Sequence, residues 1–168
     1  MARELKIKIR IEVLESEKEL TESEKRTWNK AKEATENAYA PYSNFLVGAA
    51  LLLEDGTIHI GNNQENAAYP SGMCAERTAL FGKSAIAPFM AIELIAVAAR
   101  KAFTYKYLQG APCGGCRQVM TEYEDRQGSP IKLLLQGEGT EIYRLSSVKD
   151  LLPLVFTKEN LLGAQPKE

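Results

Sequence analysis

The chain has 168 residues, 45 % apolar and 26 % charged, with a formal net charge of −1. That size and balance suit one globular domain with a full core, and the interleaving of basic with acidic residues argues against the clustered basic surface that a nucleic acid polymer requires. No apolar run approaches the roughly 20 residues of a membrane span, and "MARELKIKIR" lacks the apolar core of a secretory signal, so a cytoplasmic protein with no membrane partner is expected.

Residues 4–13 alternate apolar and polar with period two, the pattern of a half-buried strand. Lys6, Lys8 and Arg10 fall on its polar side, and Leu5, Ile7, Ile9 and Ile11 on the other. "LTESEKRTWNKAKEATENAY" reads as a helix. Thr21 with Glu24 resembles a capping box, and Trp28, Ala31, Thr35 and Ala38 recur at helical spacing. Trp28 is thus expected to be a core anchor, and Pro41 closes the segment.

"FLVGAALLLEDGTIHIGNN" predicts a β-hairpin, two apolar runs flanking Glu54-Asp55-Gly56. Gly48 inside the first run marks a close backbone approach. The single histidine, His59, falls in the second run, where a structural or solvent-facing place is expected. That removes the commonest general base and the commonest nitrogen ligand for zinc.

The amide-rich loop "NNQENAAYPSG" leads to a helix from about 74 to 86. "IELIAVAA" is continuous and β-branched enough for a buried strand. A second helix runs from about 113 to 125, followed by strands at "IKLLLQ" and "TEIYRLSS" and a last helical turn at "KENLL". No repeat or linker interrupts this order. It implies one α/β layered domain, a sheet covered by helices, over residues 1–168.

The chain holds three cysteines. Cys113-Gly-Gly-Cys116 alone fits a redox pair, half of a zinc site, or two buried thiols. A structural zinc needs four protein ligands. The only other cysteine is Cys74, and three thiolates plus one free position is the arithmetic of a catalytic zinc site. Cys74 and the Cys113/Cys116 pair each begin a predicted helix, where free N–H groups and a partial positive charge favour thiolate.

Three thiolates on Zn²⁺ carry a net −1, which calls for a cation nearby. Arg77, one turn after Cys74, can donate hydrogen bonds to the sulfurs. Glu76, two residues from a ligand, is either a fourth ligand or a proton carrier for the water at the free position.

C-A-E-R followed by P-C-G-G-C-R-Q resembles the cytidine deaminase family. "YAPYSNFLVGAALL" is similar to that family's first strand, "GNNQENAAYPSGMCAERTAL" to its substrate loop and first zinc helix, "APCGGCRQVMTEY" to its second zinc helix, and "LLPLVF" to its C-terminal segment. The likeness runs from about residue 25 to about 162. It implies a three-layer α/β/α fold around a mixed sheet of about five strands. Cys74, Cys113 and Cys116 would bind Zn²⁺, with Glu76 as proton shuttle.

Asn63 and Glu65 match the pair that hydrogen-bonds ribose hydroxyls, and Phe45 an aromatic packed on the cytosine ring. Ala75 matches a residue whose backbone touches the base. Phe156 matches an aromatic contributed by a neighbouring subunit, which implies a homotetramer with shared active sites. The implied reaction is hydrolytic deamination of cytidine and deoxycytidine to uridine and deoxyuridine plus ammonia, in pyrimidine salvage.

Residues 1–20 extend beyond the usual family start, and their alternation predicts an extra strand at a sheet edge, in this subunit or a neighbour's. Three other readings stand beside the preferred one. They are a deaminase of another cytosine-bearing small molecule such as a blasticidin-type antibiotic, a non-catalytic zinc fold with Glu76 as fourth ligand, and an RNA or DNA editor, which the missing basic surface disfavours.

Overall fold

The computed structural model describes residues 2–163; residues 1 and 164–168, the ends of the expected 1–168 domain, lie outside the described residues. The elements in chain order are β1 (Glu12–Leu14), α1 (Glu22–Ala34), β2 (Phe45–Leu53), β3 (Ile58–Asn62), α2 (Ala75–Ile86), β4 (Ile92–Lys101), α3 (Gly114–Gln127), β5 (Lys132–Gln136), β6 (Ile142–Leu145) and α4 (Lys158–Leu162). The strands form one sheet in the order β1-β6-β5-β4-β2-β3. Only β4 and β5 are parallel, because the α3 crossover joins them. The other neighbours are antiparallel.

The sheet thus has six strands rather than about five, the sixth being β1 at the edge. The expected strand over residues 4–13 shrinks to Glu12–Leu14. The cause is its partner: β6 is short and offers Arg144, Tyr143 and Ile142 to Glu12, Val13 and Leu14. Residues upstream of Ile11 run past the end of β6, and a strand is not made without a neighbour to accept its hydrogen bonds.

Helix α1 packs on one face of the sheet, and α2 and α3 on the other, giving the three layers. Thr21 and Glu24 form the expected capping box on α1, each side chain accepting from the other's backbone N–H. Trp28 and Ala31 are fully buried against Ala50, Leu52, Leu94, Ala96 and Ala98. Ala38 lies past the helix, beyond a 3₁₀ turn at Thr35–Asn37, and is half-buried. Alternate residues of the same strands, Ala49, Leu51, Ile95 and Val97, meet Ala79, Leu80 and Met120 on the opposite face. Strands β2 and β4 therefore bury both faces, which is why they read as unbroken apolar runs.

Two glycines set the spacing of the layers. A Cβ on Gly48 would collide with the Ala31 carbonyl of α1. One on Gly61 would collide with the backbone at Ala79 of α2. The helices lie directly on the sheet at these points, and only glycine fits. On the far side of α3, the buried carboxylate of Glu124 accepts from Ile131 N (2.8 Å), Val148 N (3.1 Å) and Ser147 Oγ (2.6 Å). It pins the helix to the start of β5 and to the turn after β6.

Candidate metal centre and its pocket

Cys74 is the N-cap residue of α2 and Cys113 that of α3, while Cys116 lies in the first turn of α3. Neither N-cap sulfur caps the backbone N–H groups of its own helix. Instead the two helix starts converge, with 3.9 Å between Cys74 Sγ and Cys113 Sγ and 3.5 Å between Cys113 Sγ and Cys116 Sγ. All three sulfurs lie within 4.8 Å of one another. Zinc–sulfur bonds of about 2.3 Å in a tetrahedron put sulfur pairs about 3.8 Å apart. The cluster therefore fits a tetrahedral zinc with three protein ligands.

Electrostatics favour the same ion. The Cys74 thiol is lowered to about 5, first by a hydrogen bond from Cys116, then by those of Arg77 and Cys113, against the cost of burial. Arg77 Nη2 lies 3.7 Å from Cys74 Sγ, the contact expected from its spacing. The Cys116 thiol is raised, because its proton serves Cys74 and because it is buried. The favoured negative charge thus sits on Cys74, with the Cys116 thiol held protonated beside it. A divalent cation supplies what the protons supplied, and can hold all three as thiolates.

Glu76, in the first turn of α2, is only 4 % exposed. Burial pushes its carboxyl up and the charge on Cys74 pushes it further, while its own backbone N–H and Cys116 act the other way. No cation pairs with it among the described residues. It lines a cavity of about 710 Å³ that also reaches Cys74, Ala75, Arg77 and Cys113. The cavity is large enough for a nucleoside-sized ligand.

Phe45, Asn63 and Glu65 line the same cavity. Asn63 stitches β3 to β2, its Oδ1 accepting from Val47 N (2.8 Å) and its Nδ2 donating to Phe45 O (2.9 Å). One N–H and one lone pair remain free on that amide. Glu65 accepts from Tyr42 N (2.9 Å), Ser43 N (3.2 Å) and the Ser43 hydroxyl. The hydroxyl first, and the Tyr42 amide next, hold its carboxyl below the ordinary carboxylate value.

Phe156 is not in this group. Its carbonyl is tied to Gln118 Nε2 (2.7 Å) on α3, but its ring is 60 % exposed and does not line the cavity of its own chain. His59 also lies elsewhere, half-buried against Gly82 of α2, and burial lowers its pKa.

Sequence reasoning missed Tyr42 and Tyr69, which line the mouth and pack edge-on with ring centroids 6.3 Å apart. They come from separate loops with no shared period, so only the "YAPYS" and "AAYPS" turn signals could have flagged them.

A model of the cytidine and deoxycytidylate deaminase zinc-binding region matches residues 21–128. A cytidine deaminase of Sporosarcina psychrophila is 41 % identical over 133 residues, covering 78 % of this chain and 89 % of its own. One of Halalkalibacterium halodurans is 42 % identical over 129 residues, covering 77 % and 90 %. Among solved structures, the cytidine deaminase of Burkholderia pseudomallei superposes with a TM-score of 0.67 at 40 % identity, covering 82 % of this chain and 100 % of that one. That of Mycobacterium tuberculosis gives 0.59 at 31 % identity, covering 79 % and 95 %.

Proposed function

This chain belongs to the zinc-binding cytidine and deoxycytidylate deaminase family, and from that premise we propose that it hydrolyses the 4-amino group of free cytidine and deoxycytidine, yielding uridine or deoxyuridine plus ammonia. The observation that carries this reading is the three-sulfur cluster at two helix starts, with a buried carboxylate beside it that forms no salt bridge among the described residues, opening on one nucleoside-sized cavity. Zinc is the cofactor, held by Cys74, Cys113 and Cys116.

Zinc bound there supplies a water acidic enough to ionise near neutral pH. The chain's own residues do the rest. Glu76 takes the proton that the water gives up and hands it to N3 of the ring as oxygen attacks C4. A second transfer through Glu76 protonates the exocyclic nitrogen, and ammonia leaves. Burial of Glu76 suits a group that must both accept and return a proton. Arg77 offsets the surplus negative charge of the thiolates. Phe45 flanks the base and the backbone of Ala75 meets its edge, while Asn63 and Glu65 use their remaining hydrogen-bonding capacity on the sugar hydroxyls. That capacity favours a nucleoside over a cytosine compound without a ribose.

The exposed ring of Phe156 fits a homotetramer in which each chain completes a neighbour's pocket. The salvage of pyrimidines in the cytoplasm is the setting this chemistry suits.

The direct test is zinc analysis beside a cytidine assay on the purified protein. About one zinc per chain and loss of cytidine's ultraviolet band are expected. Zinc without turnover of any cytosine nucleoside would favour a binding fold and end the enzymatic reading.

A further inference from the structure

Ahead of β1 the fold leaves a strong sequence pattern unused. Leu5, Ile7, Ile9, Ile11 and Val13 recur with period two, and all are exposed, from 44 % to 78 %. Glu4, Lys6, Lys8, Arg10 and Glu12 alternate with them. Residues 2–11 make no backbone hydrogen bond among the described residues. β1 itself is an edge strand, paired only with β6, so its outer N–H and C=O groups are open. The family match starts at residue 21, so the family's shared region gives this segment no role. An alternating, unpaired segment that runs into a sheet edge is a strand without its neighbour.

We propose that the neighbour is the same segment of a second copy of this chain. Residues 8–14 of the two copies pair antiparallel about a two-fold axis at Ile11, joining two sheets edge to edge. Charge selects this register. Apolar faces coincide only where odd residues oppose odd ones. Among such registers that extend β1 by more than its own three residues, the alternatives set like charges opposite each other. They place Lys8 against Lys8, Lys8 against Arg10, Arg10 against Arg10, or Glu12 against Glu12, which destabilises a strand pair.

The register centred on Ile11 places Arg10 opposite Glu12 twice and no like charges together. Glu12 and Glu24 share Arg144 at 2.9 and 3.0 Å, with the chain's own Arg10 also acting on Glu12, and Arg10 of the second copy meets Glu12 directly across the new pair. On the other face Ile9 meets Val13, and Ile11 meets its own copy. The contact is isologous, so it closes, whereas addition to the β3 edge of another molecule would propagate.

The test is positional disulfide cross-linking of the full-length, zinc-loaded protein under mild oxidation, with free thiols blocked before a denaturing gel. Ile11→Cys places two sulfurs across the axis, at the Cβ separation of directly opposed residues. Ile7→Cys places them roughly 26 Å apart at 3.3 Å per residue. A covalent dimer is expected from Ile11→Cys, little from Ile7→Cys, and a several-fold lower yield when Arg10→Glu is added to Ile11→Cys. Equal cross-linking at both positions, or none at position 11, overturns the proposal. Neither readout depends on deaminase activity, and association through another face does not imitate the difference between the two positions.

Discussion

The Arg77 guanidinium donates to Cys74 Sγ at 3.7 Å, while its Nε is buried without a hydrogen-bond partner among the described residues. A half-buried cation so placed is stabilised further when the sulfur carries charge, so Arg77 and the Cys74 thiolate support one another. Arg77→Gln keeps the shape but removes the charge. Zinc affinity should fall about 10–100-fold, measured by competition with a chromophoric chelator, with the far-UV circular dichroism unchanged. Equal affinity in the two proteins would leave Arg77 a helix-packing residue.

Glu76→Gln separates the two roles open to that carboxylate. As a proton carrier it should retain zinc and lose about 10²–10⁴-fold in kcat. Loss of metal from the variant would instead make Glu76 a ligand and the fourth position closed.

Phe156→Ala tests the shared pocket. The ring is exposed in its own chain, so truncation should not disturb folding or zinc content. KM for cytidine should rise about tenfold, the scale of a lost aromatic contact. A fully competent monomer with unaltered KM would remove the reason to involve a neighbour.

Gly48→Ala forces a methyl group into the Ala31 carbonyl. Overpacking of this kind costs about 1–3 kcal/mol, or about 2–4 °C in Tm per kcal/mol for a chain of this length. Because the obstacle is backbone, which cannot rotate away, the upper end is expected in urea or thermal unfolding. No loss of stability would mean that α1 can lift from β2.

Glu65 gives a pH dependence whose sign follows from its contacts. The Ser43 hydroxyl and the Tyr42 amide lower its folded pKa. Its contribution is therefore present above the ordinary carboxylate range and lost as pH falls through the depressed value. Acid should loosen the 42–43 turn before the core. Ser43→Ala should move the Glu65 titration, followed by carboxyl NMR, back toward the ordinary value. An unmoved titration would mean that the backbone amides alone set it.

Much of this was legible locally. The capping box at Thr21 and Glu24, the two glycine contacts' first member at Gly48, the anchor Trp28 and the hairpin around Gly56 depend on neighbours within a few residues or on a simple period. The same holds for Cys74, Cys113 and Cys116 at helix starts, and for Arg77 one turn from Cys74. The likeness of C-A-E-R and P-C-G-G-C-R-Q to a known family extended that reading to the substrate side.

By itself, then, the sequence determined which residues cap, which are buried and which cysteines stand at helix starts, because caps, periods and short spacings are properties of a single segment. Only the tertiary structure decided what depends on two distant segments meeting. It brought Cys74 and Cys113 within 3.9 Å by laying α2 and α3 on one face of the sheet, gathered Tyr42 and Tyr69 at the cavity mouth, and left Phe156 outside its own pocket. It also cut the first strand to Glu12–Leu14. A strand extends only as far as a partner accepts its hydrogen bonds, and the length of β6 is written nowhere in residues 4–13.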